Sequence, residues 1–288
     1  SYFISAQILI DLLCASQTMK RTVEQKMYYT LRVAIALCFI GHGAFGIITK
    51  AVWCNYFGVV GIGEQLAYRL MPPLGVFDIL LGIIVLIYPL RLIPLWLVVW
   101  GLFTAMLRPL SGEPFAEFIE RAGNYGSPLA LLLLVGNTRL RWKSLMEPIY
   151  PPLVSDPVRA QRAVLCLRVT VFLLLLGHGW LNFTGKPGLL IQYQSLGFGN
   201  PMTVAQTVGV FEMLAAMLVL IRPFAPLLFI LLVWKIVSEI WYPAYPAFEW
   251  VERAGSYASI LALLISVSSG RLFGKFSQSY QSASLNQA

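Results

Sequence analysis

The chain has 288 residues, of which 58% are hydrophobic and 12% charged, about half the charged share of ordinary soluble domains. Its mean hydropathy is +0.73 and its formal net charge +8. This composition excludes a soluble globular domain, and the positive charge argues against nucleic-acid binding because the basic residues flank apolar runs and form no separate basic domain.

Taken in chain order, residues 1–28 form an N-terminal segment. Its first 18 residues are apolar, short and without a basic flank, while Met19-Lys20-Arg21 reads as a natural start. An interfacial helix, a fragment of a lost span or an upstream extension are the alternatives. Apolar runs fit to cross a hydrocarbon layer of roughly 30 Å follow near 29–48, 73–90, 92–108 and 118–136. A basic, proline-rich linker (Pro148, Pro151, Pro152, Pro157) occupies 137–162. Further runs lie near 163–183, 207–222, 224–241 and 249–268, and a polar tail rich in Ser and Gln occupies 269–288. The long loops 49–72 and 184–206 carry Trp53, Tyr56 and Phe57, or Tyr193 and Phe198. They read as interfacial aromatic belts or as lids over a site. The runs are continuously apolar and do not alternate, so they predict helices and not barrel strands.

The chain says nearly everything twice. Leu31-Arg32-Val33 before Gly41-His42-Gly43 returns as Leu167-Arg168-Val169 before Gly177-His178-Gly179. Gly75-Val76-Phe77-Asp78 returns as Gly209-Val210-Phe211-Glu212, and the stretch Glu117 to Tyr125 returns as Glu249 to Tyr257. The expected fold is therefore an all-α integral membrane protein with eight transmembrane helices in two parallel four-helix repeats, 29–136 and 163–268. An even number of crossings per repeat implies a pseudo-two-fold axis along the membrane normal. Fourteen basic residues fall on one side and six on the other, which predicts both termini in the cytoplasm, in a bacterial cytoplasmic membrane.

Polar residues inside spans are costly and mark candidate sites. At 1.5 Å per residue, His42 and Asp78 reach roughly the same depth below one membrane face, and His178 and Glu212 the corresponding depth in the second repeat. A His-carboxylate pair fixes the imidazole tautomer and relays protons, and it also serves as interhelical glue. Glu117-Arg121 and Glu249-Arg253 are spaced as favourable i,i+4 pairs, with Arg121 or Arg253 turned inward on an anionic or carbonyl group as the sharper reading. Lys235 and Glu239 stand where the first repeat has Gly101 and Ala105. A mid-membrane Lys costs on the order of 3 kcal/mol, so this asymmetry places the expected ligand site in the second repeat, around His178, Glu212, Lys235 and Glu239. The sequence contains no Cys-x-x-Cys, phosphate loop, His-Glu-x-x-His or dinucleotide fingerprint, and no metal site is expected.

A basic residue opening the first helix, a small-His-Gly element near its far end, and an acidic residue before an apolar, Gly-containing run (Phe77-Asp78-Ile79-Leu80-Leu81-Gly82) resemble the DoxX/DoxD group of four-helix membrane proteins. The resemblance covers both repeats. It implies quinone-linked oxidoreduction or membership of a membrane redox complex, with His42, Asp78, His178 and Glu212 at the family's polar positions. The expected function is a quinone-interacting component of a membrane oxidoreductase, with partner subunits or a homo-oligomer. The alternatives are a non-catalytic scaffold subunit and a small-solute carrier, and the chain's status as an enzyme is left open.

Overall fold

A computed structural model describes residues 21–136, 142–242 and 246–269. The apolar segment before residue 21, the 137–141 stretch of the basic linker and the polar tail lie outside the described residues. Within them the chain is all-helical, apart from one isolated bridge between Leu90 and Pro148. The helices are α1 (Val23–Ile47), α2 (Trp53–Val59), α3 (Glu64–Ile87), α4 (Leu92–Leu110), α5 (Ala116–Glu120), α6 (Ala122–Val135), α7 (Trp142–Leu145), α8 (Pro157–Phe183), α9 (Pro187–Ser195), α10 (Pro201–Ile221), α11 (Ala225–Ile240), α12 (Pro246–Glu252) and α13 (Ala254–Ser268). Five of them, α1, α3, α4, α8 and α10, are long and apolar enough to cross a membrane.

Side-chain caps set the starts of three of the long helices. Thr22 and Gln25 form a reciprocal capping box at α1, with bonds of 3.2 and 3.1 Å. Asp156 accepts from the amides of Val158 and Arg159, and Pro157 follows at the first helical position, so α8 begins six residues before its apolar run. Asn200 caps α10 in the same way, again before the apolar run. α3 begins at Glu64 and carries Pro72 and Pro73 inside it.

The expected single span 118–136 is broken. Arg121 (φ −85°, ψ 14°) separates α5 from α6, and Arg253 (φ −84°, ψ 8°) separates α12 from α13. The expected local pair of Arg121 with Glu117 does not form: Arg121 meets Glu252 at 3.5 Å, while Glu117 meets Arg108 and Lys186. Arg253 does keep Glu249, at 3.6 Å.

Glycines let the helix backbones touch. Gly43 and Gly46 of α1 lie against Gly75 of α3, and Gly179 of α8 lies against Gly209 of α10. The basic residues Arg32 and Arg168 tie the same helix pairs at their other end. Arg32 donates to Val85 O at 2.8 Å and Leu86 O at 2.6 Å, and Arg168 donates to Leu220 O and Ile221 O, answering carbonyls that a helix end leaves free. Between the two halves of the chain, α6 packs on α8 and α13 on α1, and Gly123 meets Ser256 and Gly255 at the centre. The buried core, with Leu31, Ile35, Leu131, Leu167, Leu174 and Leu263, sits where these four helices meet. The far faces of α3, α10 and α11 expose apolar side chains such as Leu80, Ile83, Leu214, Met217, Phe229 and Ile230, the surface a lipid-facing helix presents.

Candidate functional sites in two polar chambers

Each His stands on its carboxylate. The Nδ1–H of His42 on α1 donates to Asp78 Oδ2 on α3 at 2.7 Å, and His178 Nδ1–H on α8 donates to Glu212 Oε2 on α10 at 2.6 Å. The same glycine contacts that bring these helix pairs together set those distances. His42 and Asp78 line one cavity and His178 lines another, at the end of the helices that carries α2 and α9.

The first chamber, of about 790 Å³, is lined by His42, Asp78, Trp100, Thr104, Arg121 and Glu252, with Trp53, Tyr56 and Phe57 of α2 covering it. The Trp53 ring lies 4.6 Å from the imidazole of His42. The second, of about 920 Å³, is lined by His178, Glu120, Glu239, Arg253 and Trp234, with Tyr193 of α9 and Phe198 on its covering side. The loop aromatics thus sit over the dyads. Burial pushes both phenols up, so they stay protonated and donate: Tyr56 to Glu113 Oε1 at 2.5 Å, Tyr193 to Asn182 Oδ1 at 2.6 Å.

The remaining charges cross between halves, in reciprocal pairs. Lys50 meets Glu249 at 2.5 Å and Lys186 meets Glu117 at 2.6 Å. Arg121 meets Glu252 at 3.5 Å and Arg253 meets Glu120 at 2.6 Å. Each chamber is therefore completed by a carboxylate of the other half. A third cavity of about 1070 Å³ lies between the two, lined by Lys50, Arg108, Arg121, Lys186 and Arg253 together with Glu113, Glu117 and Glu249.

All four residues expected in the second site come together. Lys235 Nζ lies 2.8 Å from Glu239 Oε1, an ionic contact without hydrogen-bond geometry, and Arg253 Nη1 lies 3.0 Å from the same oxygen. His42, Asp78 and Arg121 share the first chamber, whereas Arg253 belongs to the second. Glu120, His178 and Glu239 offer ligand atoms within 4.8 Å of one another, a spacing a metal ion would tolerate. Arg253 already bonds both carboxylates, so the cation held there is a guanidinium.

Residues that pattern reading passes over complete the second chamber. Asn182 Nδ2 donates to His178 O at 3.1 Å, and Trp234 Nε1 donates to Glu212 Oε1 at 2.8 Å. Lys50 and Lys186 had a usable signal, since each lies eight residues after its His.

Replacing Asp78 tests what the dyad contributes to the fold. Asp78→Asn is expected to unfold close to wild type, because the amide oxygen still accepts from the imidazole. Asp78→Leu leaves a buried N–H without an acceptor and is expected to cost about 1–3 kcal/mol, read from unfolding in detergent. Equal stability of the two variants would show that the hydrogen bond contributes nothing.

No protein-family model, no curated protein and no solved structure matches the chain.

Proposed function

We propose that the chain is a DoxX-like, eight-span membrane protein that binds a quinone-type molecule as the membrane component of an oxidoreductase. The observation that carries this reading is the twofold occurrence of a His-carboxylate dyad whose imidazole faces an aromatic-covered chamber. A quinone needs an apolar slot, a donor at its carbonyl and a group that exchanges protons, and the dyad supplies the last two. This chain's part is binding and proton exchange; electrons come from a partner subunit.

The reciprocal ion pairs support two repeats about one pseudo-two-fold axis. Of the three spans beyond the five long helices, two are supported by length. α5 and α6 with Arg121 between them extend over residues 116–135, roughly 30 Å at 1.5 Å per residue, and α12 with α13 extends over 246–268. α11, at 16 residues, makes the eighth. The excess of basic residues at the opposite end of the helices from the dyads supports cytoplasmic termini in a bacterial membrane.

Purified protein is expected to retain a quinone that organic extraction and mass spectrometry identify. His42→Ala and His178→Ala together are expected to lower its retention at least tenfold while the protein stays monodisperse. A scaffold role is the second reading. It is favoured by the fact that four ion pairs, eight charged residues, bind the halves to each other. No retained or titratable quinone in wild type, with a stoichiometric partner co-purifying, would decide for the scaffold.

A further inference from the structure

The two chambers share a dyad but differ in what fills them. In the second, Glu239 projects from α11 beside Arg253, with Lys235 buried against it at 2.8 Å, and the Arg253 guanidinium meets three carboxylates: Glu120 at 2.6 Å, Glu239 at 3.0 Å and Glu249 at 3.6 Å. Glu212 is long enough to accept from Trp234 as well as from His178. Both charged side chains of that chamber's own half, Arg253 and Lys235, thus stand against carboxylates, although Arg253 Nε and Lys235 Nζ make no hydrogen bond.

In the first chamber the counterparts of Lys235 and Glu239 are Gly101 and Ala105, and that of Asn182 is Gly46. Asp78, one methylene shorter than Glu212, takes only the His42 bond, and the buried Nε1 of Trp100, counterpart of Trp234, has no partner. Arg121 meets a single carboxylate, Glu252, at 3.5 Å, where Arg253 meets three; the buried Nε of each arginine lacks a hydrogen-bond partner. Gly101 and Ala105 line this cavity, which at about 790 Å³ is no larger than the second chamber's 920 Å³ but is lined by these small residues where the second has Glu239 of α11. Buried donors without acceptors are costly, and two of them converge on one cavity.

We infer that the first chamber, not the second, is the ligand site, and that its ligand is an apolar molecule bearing a neutral carbonyl oxygen. The carbonyl stands against Arg121 where the Glu239 carboxylate stands against Arg253, with the Trp100 N–H as a second donor. Neutrality follows from charge. The first chamber is lined by Asp78 and Glu252 against Arg108 and Arg121, and the second by Glu120 and Glu239 against Lys186 and Arg253, so each lining already balances. A ligand carboxylate in the first chamber would add one uncompensated negative charge beside Asp78 and Glu252; a carbonyl adds none. The expectation of a site at Lys235 and Glu239 is thereby reversed: that pair stands in for a ligand. This inference rests on the proposal that the chambers take ligands.

The test uses the full chain in lipid nanodiscs, titrated calorimetrically with a decyl-substituted benzoquinone and separately with dodecanoate. Wild type is expected to bind one quinone per chain, and dodecanoate at least tenfold more weakly. Ala105→Glu supplies the first chamber with its own carboxylate and is expected to weaken quinone binding at least tenfold. Trp100→Phe keeps the apolar volume, loses one donor and is expected to weaken binding about fivefold. Lys235→Gly with Glu239→Ala empties the second chamber and is expected to add a second quinone site. If quinone binds wild type but is unaffected by Ala105→Glu and Trp100→Phe, or is abolished by Lys235→Met with Glu239→Gln, the first-chamber assignment is wrong and the ligand-binding proposal stands. Tighter binding of dodecanoate than of quinone overturns the neutral carbonyl. Binding of neither by a folded wild type removes the ligand-binding proposal and this inference together.

Discussion

Arg253→Met is expected to destabilise the purified protein by about 3–5 kcal/mol, the usual cost of removing one partner from a buried charge cluster. Its guanidinium stands between Glu120, Glu239 and Glu249, each no more than 5% exposed. Without it, only the Lys235 ammonium remains within ion-pair distance of Glu239 and only Lys50 of Glu249, and Glu120 has none. Arg121→Met removes the equivalent side chain of the first half but leaves only Glu252, at 3.5 Å, and is expected to cost roughly 1–3 kcal/mol. The difference between two counterpart arginines is the signature to measure, by denaturant unfolding in detergent. Adding Glu120→Gln to Arg253→Met is expected to recover part of the loss, since it removes one of the stranded charges. Equal and small effects of the two arginine substitutions would mean that the cluster does not hold the halves together.

Gly177→Val is expected to cost about 3 kcal/mol or to prevent a monodisperse preparation. A Cβ at Gly177 meets the backbone of Glu120 and Ala116, which cannot move aside as a flexible side chain can. The displaced α5 carries Glu120 away from Arg253, so the steric and electrostatic losses coincide. Gly41→Val repeats the insult against Glu252 and Val251. Gly58→Ala serves as the control: its Cβ meets nothing within 4 Å inside a helix, and the change is expected to be neutral or stabilising by about 0.5–1 kcal/mol. The readout is the thermal unfolding midpoint together with gel-filtration profile. A Gly177→Val protein that behaves like Gly58→Ala would refute the close approach of α5 to α8.

The apolar runs, the helical character and the residues of the dyads are all legible in one dimension, because hydropathy and repetition are local properties. The helix starts are less so: Asp156-Pro157 and Asn200-Pro201 begin helices in polar sequence, several residues before the hydropathy rises. The partners of Arg121 and Arg253 were the least legible. Their spacing from Glu117 and Glu249 satisfies the i,i+4 rule, which holds for Arg253 and Glu249 but not for Arg121, and the chain turns at both arginines. Pairs such as Arg253 and Glu120 join positions 133 apart, and no local pattern announces them. Lys235 was legible as an anomaly whose meaning was not: only the structure shows it buried against Glu239, while its counterpart Gly101 lines a cavity.

The exchange of charges between halves also sets a timetable. Glu120 leaves the ribosome 133 residues ahead of Arg253, and at 5–20 residues per second that is a delay of roughly 7–27 s. For that interval α5 and the start of α6 hold Glu117, Glu120 and Arg121 with none of their partners from the second half made. A chain cut at the linker is therefore expected to hold those charges without their partners.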